Sequence, residues 1–103
     1  MVRPMHTADL LRQKLEAAFA PASLQIHDDS ASHRGHAGAA GGGGHFHVRL
    51  VSAAFEGQSL VARHRRVYAV LADEMKGAVH ALALRTLTPA EAAAEAAAEQ
   101  STR

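Results

Sequence analysis

Five histidines lie between residues 27 and 48, in the stretch "HDDSASHRGHAGAAGGGGHFHV". Imidazole is a common metal ligand and the side chain that changes charge near neutral pH, so this spacing raises metal chemistry first. The chain has no cysteine, which excludes a disulfide framework, a thiolate zinc site and a cysteine nucleophile. Any metal ligand must therefore be histidine or carboxylate. His33 and His36 sit among small residues just before four consecutive glycines. No helix or strand interior favours that composition, and a mobile loop over 32–44 is expected. Such tracts are compositionally biased, so on the residues alone two solvated histidines without a role account for them as well as a metal site does. Divalent-metal buffering by the loop is a third reading.

Other candidates lie further along. His80 shares strand parity with Leu82 and Leu84, which makes a core-facing histidine bonded to backbone the plain expectation. As it opens its strand, it is also expected near the sheet edge, within a partner's reach. His64 falls between Leu60 and Tyr68 on a helical stripe, where a buried structural histidine is expected. His45 and His47 alternate with Phe46 and Val48 and are expected at the surface, adding weak metal affinity. Arg63, Arg65 and Arg66, with Lys76 further on, make one basic helix side. It is either a solvated face, or a surface for an acidic partner or for DNA phosphates. No nucleophile turn, phosphate loop or HExxH is present, and the adjacent Asp28 and Asp29 point to opposite sides of an extended segment, so no catalysis is expected. A GXXG clamp and an aromatic platform for stacking bases are also absent.

The elements that must position these groups follow from periodicity. Thr7 is the expected N-cap of a first helix carrying Leu11, Leu15, Ala18 and Phe19 on one stripe, and Pro21 ends it. "SLQIHD" and "HFHVRLVSAAF" alternate as strands, expected to pair as an antiparallel long hairpin around the loop. Gly57 suits a turn with positive φ, and the span Ser59 to Lys76 reads as the longest helix, closed by Gly77. "VHALALRTL" is a third strand. Thr88, Pro89 and Glu91 then have the N-cap, first-position and capping-box chemistry of a last helix. The alanine and glutamate tail beyond it has little to bury and is expected to fray. The order is α-β-β-α-β-α, an α/β domain in which a three-stranded sheet is covered on one face by helices.

With 103 residues the chain suffices for one core, and it divides into a single domain over 1–92 and a tail over 93–103. Its hydrophobic fraction is 48% but its aromatic fraction only 4%, so aliphatic side chains must fill the interior. The net charge of +1 drives no indiscriminate binding to nucleic acid or membrane. No apolar run approaches the roughly 20 residues of a bilayer span, and "MVRPMHTADL" lacks a secretory signal's apolar stretch. A cytoplasmic location without membrane contact is expected.

"FEGQSLVARHRRVYAVLADEM", followed by "VHALALRTLTPAE" and preceded by "LQIHDDSASHRGH", resembles the BolA family of small proteins over about residues 9 to 92. The resemblance implies a class II KH-like fold and a partnership with a monothiol glutaredoxin. In that heterodimer a [2Fe–2S] cluster is shared with the glutaredoxin cysteine and glutathione, in cluster maturation or iron regulation. Bacterial members have also been regarded as DNA-binding transcriptional regulators. The resemblance places the loop ligand at His33, with His36 as its alternative, and the strand ligand at His80. A chain without cysteine can hold such a cluster only as half of a shared site, because these clusters are held mostly by thiolates.

Overall fold

The computed structural model describes residues 6–29 and 44–101. The chain forms α1 (Thr7–Phe19), β1 (Ser23–Asp28), β2 (Gly44–Val51), a 3-10 turn (Ala53–Phe55), α2 (Leu60–Val70), a second 3-10 turn (Glu74–Lys76), β3 (Val79–Leu87) and α3 (Pro89–Ser101). The order α-β-β-α-β-α is the expected one, and β1 and β2 pair antiparallel, with Leu24 opposite Leu50 and Ile26 opposite Val48. β3 adds to the other side of β2 in parallel, giving the sheet order β1-β2-β3. A parallel neighbour needs a crossover, and α2 supplies it.

Alternation along β2 sends Phe46, Val48 and Leu50 into the core. There they meet Leu11, Leu15 and Phe19 of α1, Val67 of α2, and Leu71 and Phe55 from the turns. α1 and α2 thus cover one face of the sheet. α1 begins one residue earlier than its capping pattern suggests, since Thr7 is already helical and His6 is the N-cap. It ends at Phe19, where Ala20 adopts φ 42 and its N–H bonds the Glu16 carbonyl. Ser52, fully buried, donates its hydroxyl to the Phe19 carbonyl at 2.7 Å and accepts from the Ala54 N–H. Gly57 has the positive φ, 77, that its turn requires.

The long second helix differs from expectation. Regular α-geometry stops at Val70, and Glu74–Lys76 is a separate 3-10 turn. Glu74 is buried there and is matched by Lys14 of α1, Nζ to Oε2 at 2.7 Å. The inward stripe of α2 is also rotated from the expected one: Leu60, Val61 and Tyr68 are exposed, His64 is only half-buried, and Arg63 and Val67 face inward. A guanidinium can take such a position when its donors are matched and its stem packs on apolar surface.

Arg63 meets both conditions. It is 5% exposed, its Nε donates to the Gln58 carbonyl at 2.9 Å, and Nη1 donates to the Thr86 carbonyl at 3.1 Å. The fork closes on Glu91, Nη1 to Oε1 at 2.7 Å and Nη2 to Oε2 at 3.2 Å. Glu91 is also the capping-box carboxylate: the Thr88 N–H donates to it at 2.9 Å, and the Glu91 N–H donates to the Thr88 hydroxyl at 3.2 Å. Arg66 turns inward as well, its guanidinium 5.1 Å from the Phe19 ring centre and bonded to the Ala54 carbonyl and Gln58. The expected solvated basic face therefore does not form at Arg63 or Arg66.

The hydrogen bonds from Arg63 and the Thr88 N–H hold the Glu91 carboxyl at about 2, below its ordinary 4.5. A carboxyl depressed in the fold contributes stability that is complete above its ordinary value and lost as the pH falls through the folded one. Acid titration followed by circular dichroism should accordingly show stability declining from pH 4.5 to about 2, and Glu91→Gln should flatten that decline. Arg63→Ala, which removes the buried fork and leaves the Thr86 carbonyl without its donor, should cost about 2–4 kcal/mol in urea denaturation.

Candidate functional site

The segment carrying His33 and His36 lies outside the described residues, but both of its anchors lie within them. Its entry is fixed by the Asp29 N–H, which donates to the His45 carbonyl at 2.7 Å, and its return by the Gly44 N–H, which donates to the Ala78 carbonyl at 2.9 Å. Because β2 and β3 run parallel, the start of β3 is at this same end. A concavity of about 670 Å³ opens there, bordered by His6, Asp9, Asp28, Gly44, Phe46 and Ala78.

His80 is placed by an irregularity. Gly44 pairs with Val79 and His45 with Ala81, so His80 is an extra residue, a β-bulge. The bulge shifts the side-chain parity of β3. Val79 is buried on one side of it, Leu82 and Leu84 pack against the core on the other, and His80 is exposed between them. The core-facing orientation expected from parity is thus corrected, since period-two alternation holds only along an unbroken ladder. The His80 ring lies 5.2 Å from that of His45, which is half-buried. Sequence reasoning left His45 among the surface residues. Its alternation with Phe46 gave the correct face, but nothing local in the sequence indicated that β3 would bring His80 beside it.

A second imidazole pair lies nearby. His27 and His47 are cross-strand partners with ring centres 6.0 Å apart, and Asp29 places one oxygen 3.9 Å from His27 Nε2 and the other 3.6 Å from His47 Nε2. The loop end of the sheet therefore carries four imidazoles, on three strands. Among the described residues, no three histidine, aspartate or glutamate side chains are grouped so as to hold a metal ion. With no cysteine in the chain, the donor set fits an iron–sulfur cluster only as the minority share of a site completed by thiolates from elsewhere.

The basic candidates are scattered. Arg63 and Arg66 are committed inside the fold, whereas Arg65 is exposed and Lys76 is an exposed residue 4.0 Å from Asp73. The structure does not gather the four into one patch.

This architecture has known relatives. The family model described as BolA-like protein matches residues 15–91. The chain belongs to the BolA-like family. It is 46% identical over 86 residues to SufE-like protein 1, chloroplastic/mitochondrial, of Arabidopsis thaliana, covering 79% of this chain and 23% of that protein. It is 43% identical over 84 residues to the DNA-binding transcriptional regulator BolA of Escherichia coli strain K12, covering 82% of this chain and 77% of the regulator. Among solved structures, BolA1 from Arabidopsis thaliana superposes with a TM-score of 0.75 at 41% identity, covering 86% of this chain and 98% of that one. The chain spans less than two-thirds of the length of the plant and mammalian curated relatives it matches. No helix among the described residues is long and apolar enough to cross a membrane.

The bulge makes the imidazoles of this BolA-like sheet separable from its stability. His80 has no place in the core, so His80→Ala should change the unfolding free energy by no more than about 0.5 kcal/mol. Thermal denaturation of the variant beside wild type checks this, and a larger loss would mean that the imidazole holds the strand.

Proposed function

We propose that this protein is a non-enzymatic adaptor that pairs with a monothiol glutaredoxin and contributes imidazole to a shared [2Fe–2S] cluster. His80 is the strand ligand, and His33, or His36 in its place, is the loop ligand. The observation that carries this reading is the bulge, which sets an exposed His80 at the sheet end where the histidine-bearing segment is anchored. His33 is four residues from Asp29 in sequence. The family resemblance and the absence of cysteine agree with it: the thiolates come from the partner's cysteine and from glutathione.

A cluster bound there supplies one-electron chemistry and transferable iron and sulfide. The chain's own residues do the rest. His80 offers a neutral nitrogen that binds only when unprotonated, and imidazole in place of thiolate raises the potential and makes ligation sensitive to acid. Strands β2 and β3 fix the position of His80 at the bulge. The role is replacement of one half of a symmetric glutaredoxin site, in assembly, trafficking or iron regulation.

DNA-binding regulation is the second reading, favoured by the name of the E. coli relative. With Arg63 and Arg66 committed internally, Arg65 and Lys76 remain from the basic set. Two phosphate contacts give a slope of log K on log salt of about −1.8. A fluorescence-anisotropy salt titration should show no steeper dependence. A slope of about −4 or steeper, with preference for one sequence, would favour the regulator.

The decisive experiment is anaerobic reconstitution of a monothiol glutaredoxin with glutathione, iron and sulfide, with and without this protein, followed by size exclusion with visible absorbance. A coloured heterodimer with a spectrum unlike the glutaredoxin homodimer's is expected, and His80→Ala should bleach it or shorten its lifetime severalfold. Replacing His33 and His36 singly identifies the loop ligand. If the colour stays with the homodimer and this protein elutes apart, the adaptor reading fails.

A further inference from the structure

The second face of the sheet, away from α1 and α2, is organised in rows across the strands. Val51 pairs with Leu87, both buried; next come Gln25, Arg49 and Arg85; then His27, His47 and Ala83. The helix α3 reaches the arginine row chiefly through Glu95. Glu95 accepts from Arg49 Nη2 at 3.2 Å, and its carboxylate is also clasped by both Nη groups of Arg85. Glu99, one turn on, adds to the attraction for Arg85.

The hold on α3 is chemically lopsided. Its sequence, PAEAAAEAAAEQS, has no large apolar side chain, and its half-buried positions are Pro89, Ala92 and Glu95. After the capping box, docking rests on carboxylate–guanidinium contact with little apolar area to support it. The Arg85 side of this contact is exposed, and an exposed ion pair contributes little to stability. Arg49 and Arg85 are matched here by Glu95, with Glu99 near Arg85, so lifting α3 away would leave two guanidiniums uncompensated on the row. Beside it a concavity of about 330 Å³ continues past His27, His47, Ala83 and Leu84, so an extended segment laid there would meet the arginines and then the imidazoles.

We propose that this face, at Arg49 and Arg85, receives an acidic segment of a partner protein, and that Glu95 of α3 is the resident carboxylate which that segment displaces. The carboxylate already seated there shows the chemistry of the guest, and charge complementarity identifies it as aspartate- or glutamate-rich. α3 acts as a tethered competitor whose effective concentration is on the order of millimolar. Only a guest with several carboxylates, or one held by a second contact, displaces it. This surface is independent of His80 and does not rest on the cluster reading.

The test is fluorescence anisotropy with fluorescein-labelled hexaglutamate as probe, on the full chain. Vacating the seat, in a Glu95→Ala/Glu99→Ala variant, should tighten probe binding roughly three- to tenfold over wild type. Adding Arg49→Ala and Arg85→Ala should abolish it. The isosteric Glu95→Gln/Glu99→Gln pair repeats the measurement without shortening the side chains, and circular dichroism confirms that each variant is folded. Unchanged affinity in both vacated variants, or binding that survives loss of the two arginines, overturns the proposal. So does binding of a peptide copying residues 90–101 without binding of hexaglutamate, since the face would then be an internal seat only.

Discussion

Much of this fold turns on one buried guanidinium. Arg63 joins three elements that are distant in sequence: its own helix α2, the end of β3 through the Thr86 carbonyl, and the start of α3 through Glu91. Burying a charge is costly unless it is paired and hydrogen-bonded, and here a bidentate carboxylate and two backbone carbonyls accept from all three guanidinium nitrogens. Glu91 serves two purposes at once, because the same carboxylate caps the helix that it docks. An apolar residue at 63 could fill the space but could not fix where α3 begins. Arg66 extends the theme by lying over the Phe19 ring, with Phe19 and Phe55 themselves 5.1 Å apart. In a chain with so few aromatics, arginine stems and planes supply part of the packing.

That use of arginine redirects the functional reading. Taken as a charge run, Arg63, Arg65 and Arg66 suggest a cationic helix surface, yet two of the three are structural. The side chains left for outside chemistry are the imidazoles at the sheet end and the Arg49–Arg85 row, which lie on strands and are held in direction by the ladder. This agrees with the small net charge. A net charge of +1 gives no strong long-range attraction to a polyanion, so contacts made by these side chains are short-range.

Local chemistry was legible in the sequence and long-range pairing was not. Thr88, Pro89 and Glu91 predicted a helix start that forms with both capping-box bonds, and the alternation of Leu24 and Ile26, and of Phe46, Val48 and Leu50, predicted the hairpin and its inward face. These signals act over two to four residues. The inward turn of Arg63 depends on a carboxylate 28 residues away, so the helical period alone could not distinguish it from a solvated neighbour. The bulge at His80 was hidden for a similar reason: it arises from the register of β3 against β2, and a parity count along one strand has no access to it. Parity along β3 alone therefore places His80 inward and gives no sign of His45 as its neighbour. The resemblance to the BolA family pointed to His80 by a different route, through motif position rather than geometry, while His33 and His36 fall outside the described residues.

The topology explains why His80 and the anchors of the histidine-bearing segment, so far apart in sequence, lie at one end of the sheet. Had β3 paired antiparallel with β2, its first residues would lie at the Val51 end, beside the buried pair Val51 and Leu87. The parallel pairing, made possible by the α2 crossover, instead brings the start of β3 to the start of β2, where the histidine-bearing segment returns to the sheet. The two ends of β3 are then assigned opposite duties. Its last residues are locked by the Arg63 and Glu91 network and carry stability. Its first residues, loosened by a bulge and exposing an imidazole that the core does not need, are left for chemistry. Side chains that bear little of the folding energy can change what they contact without unfolding the domain that presents them.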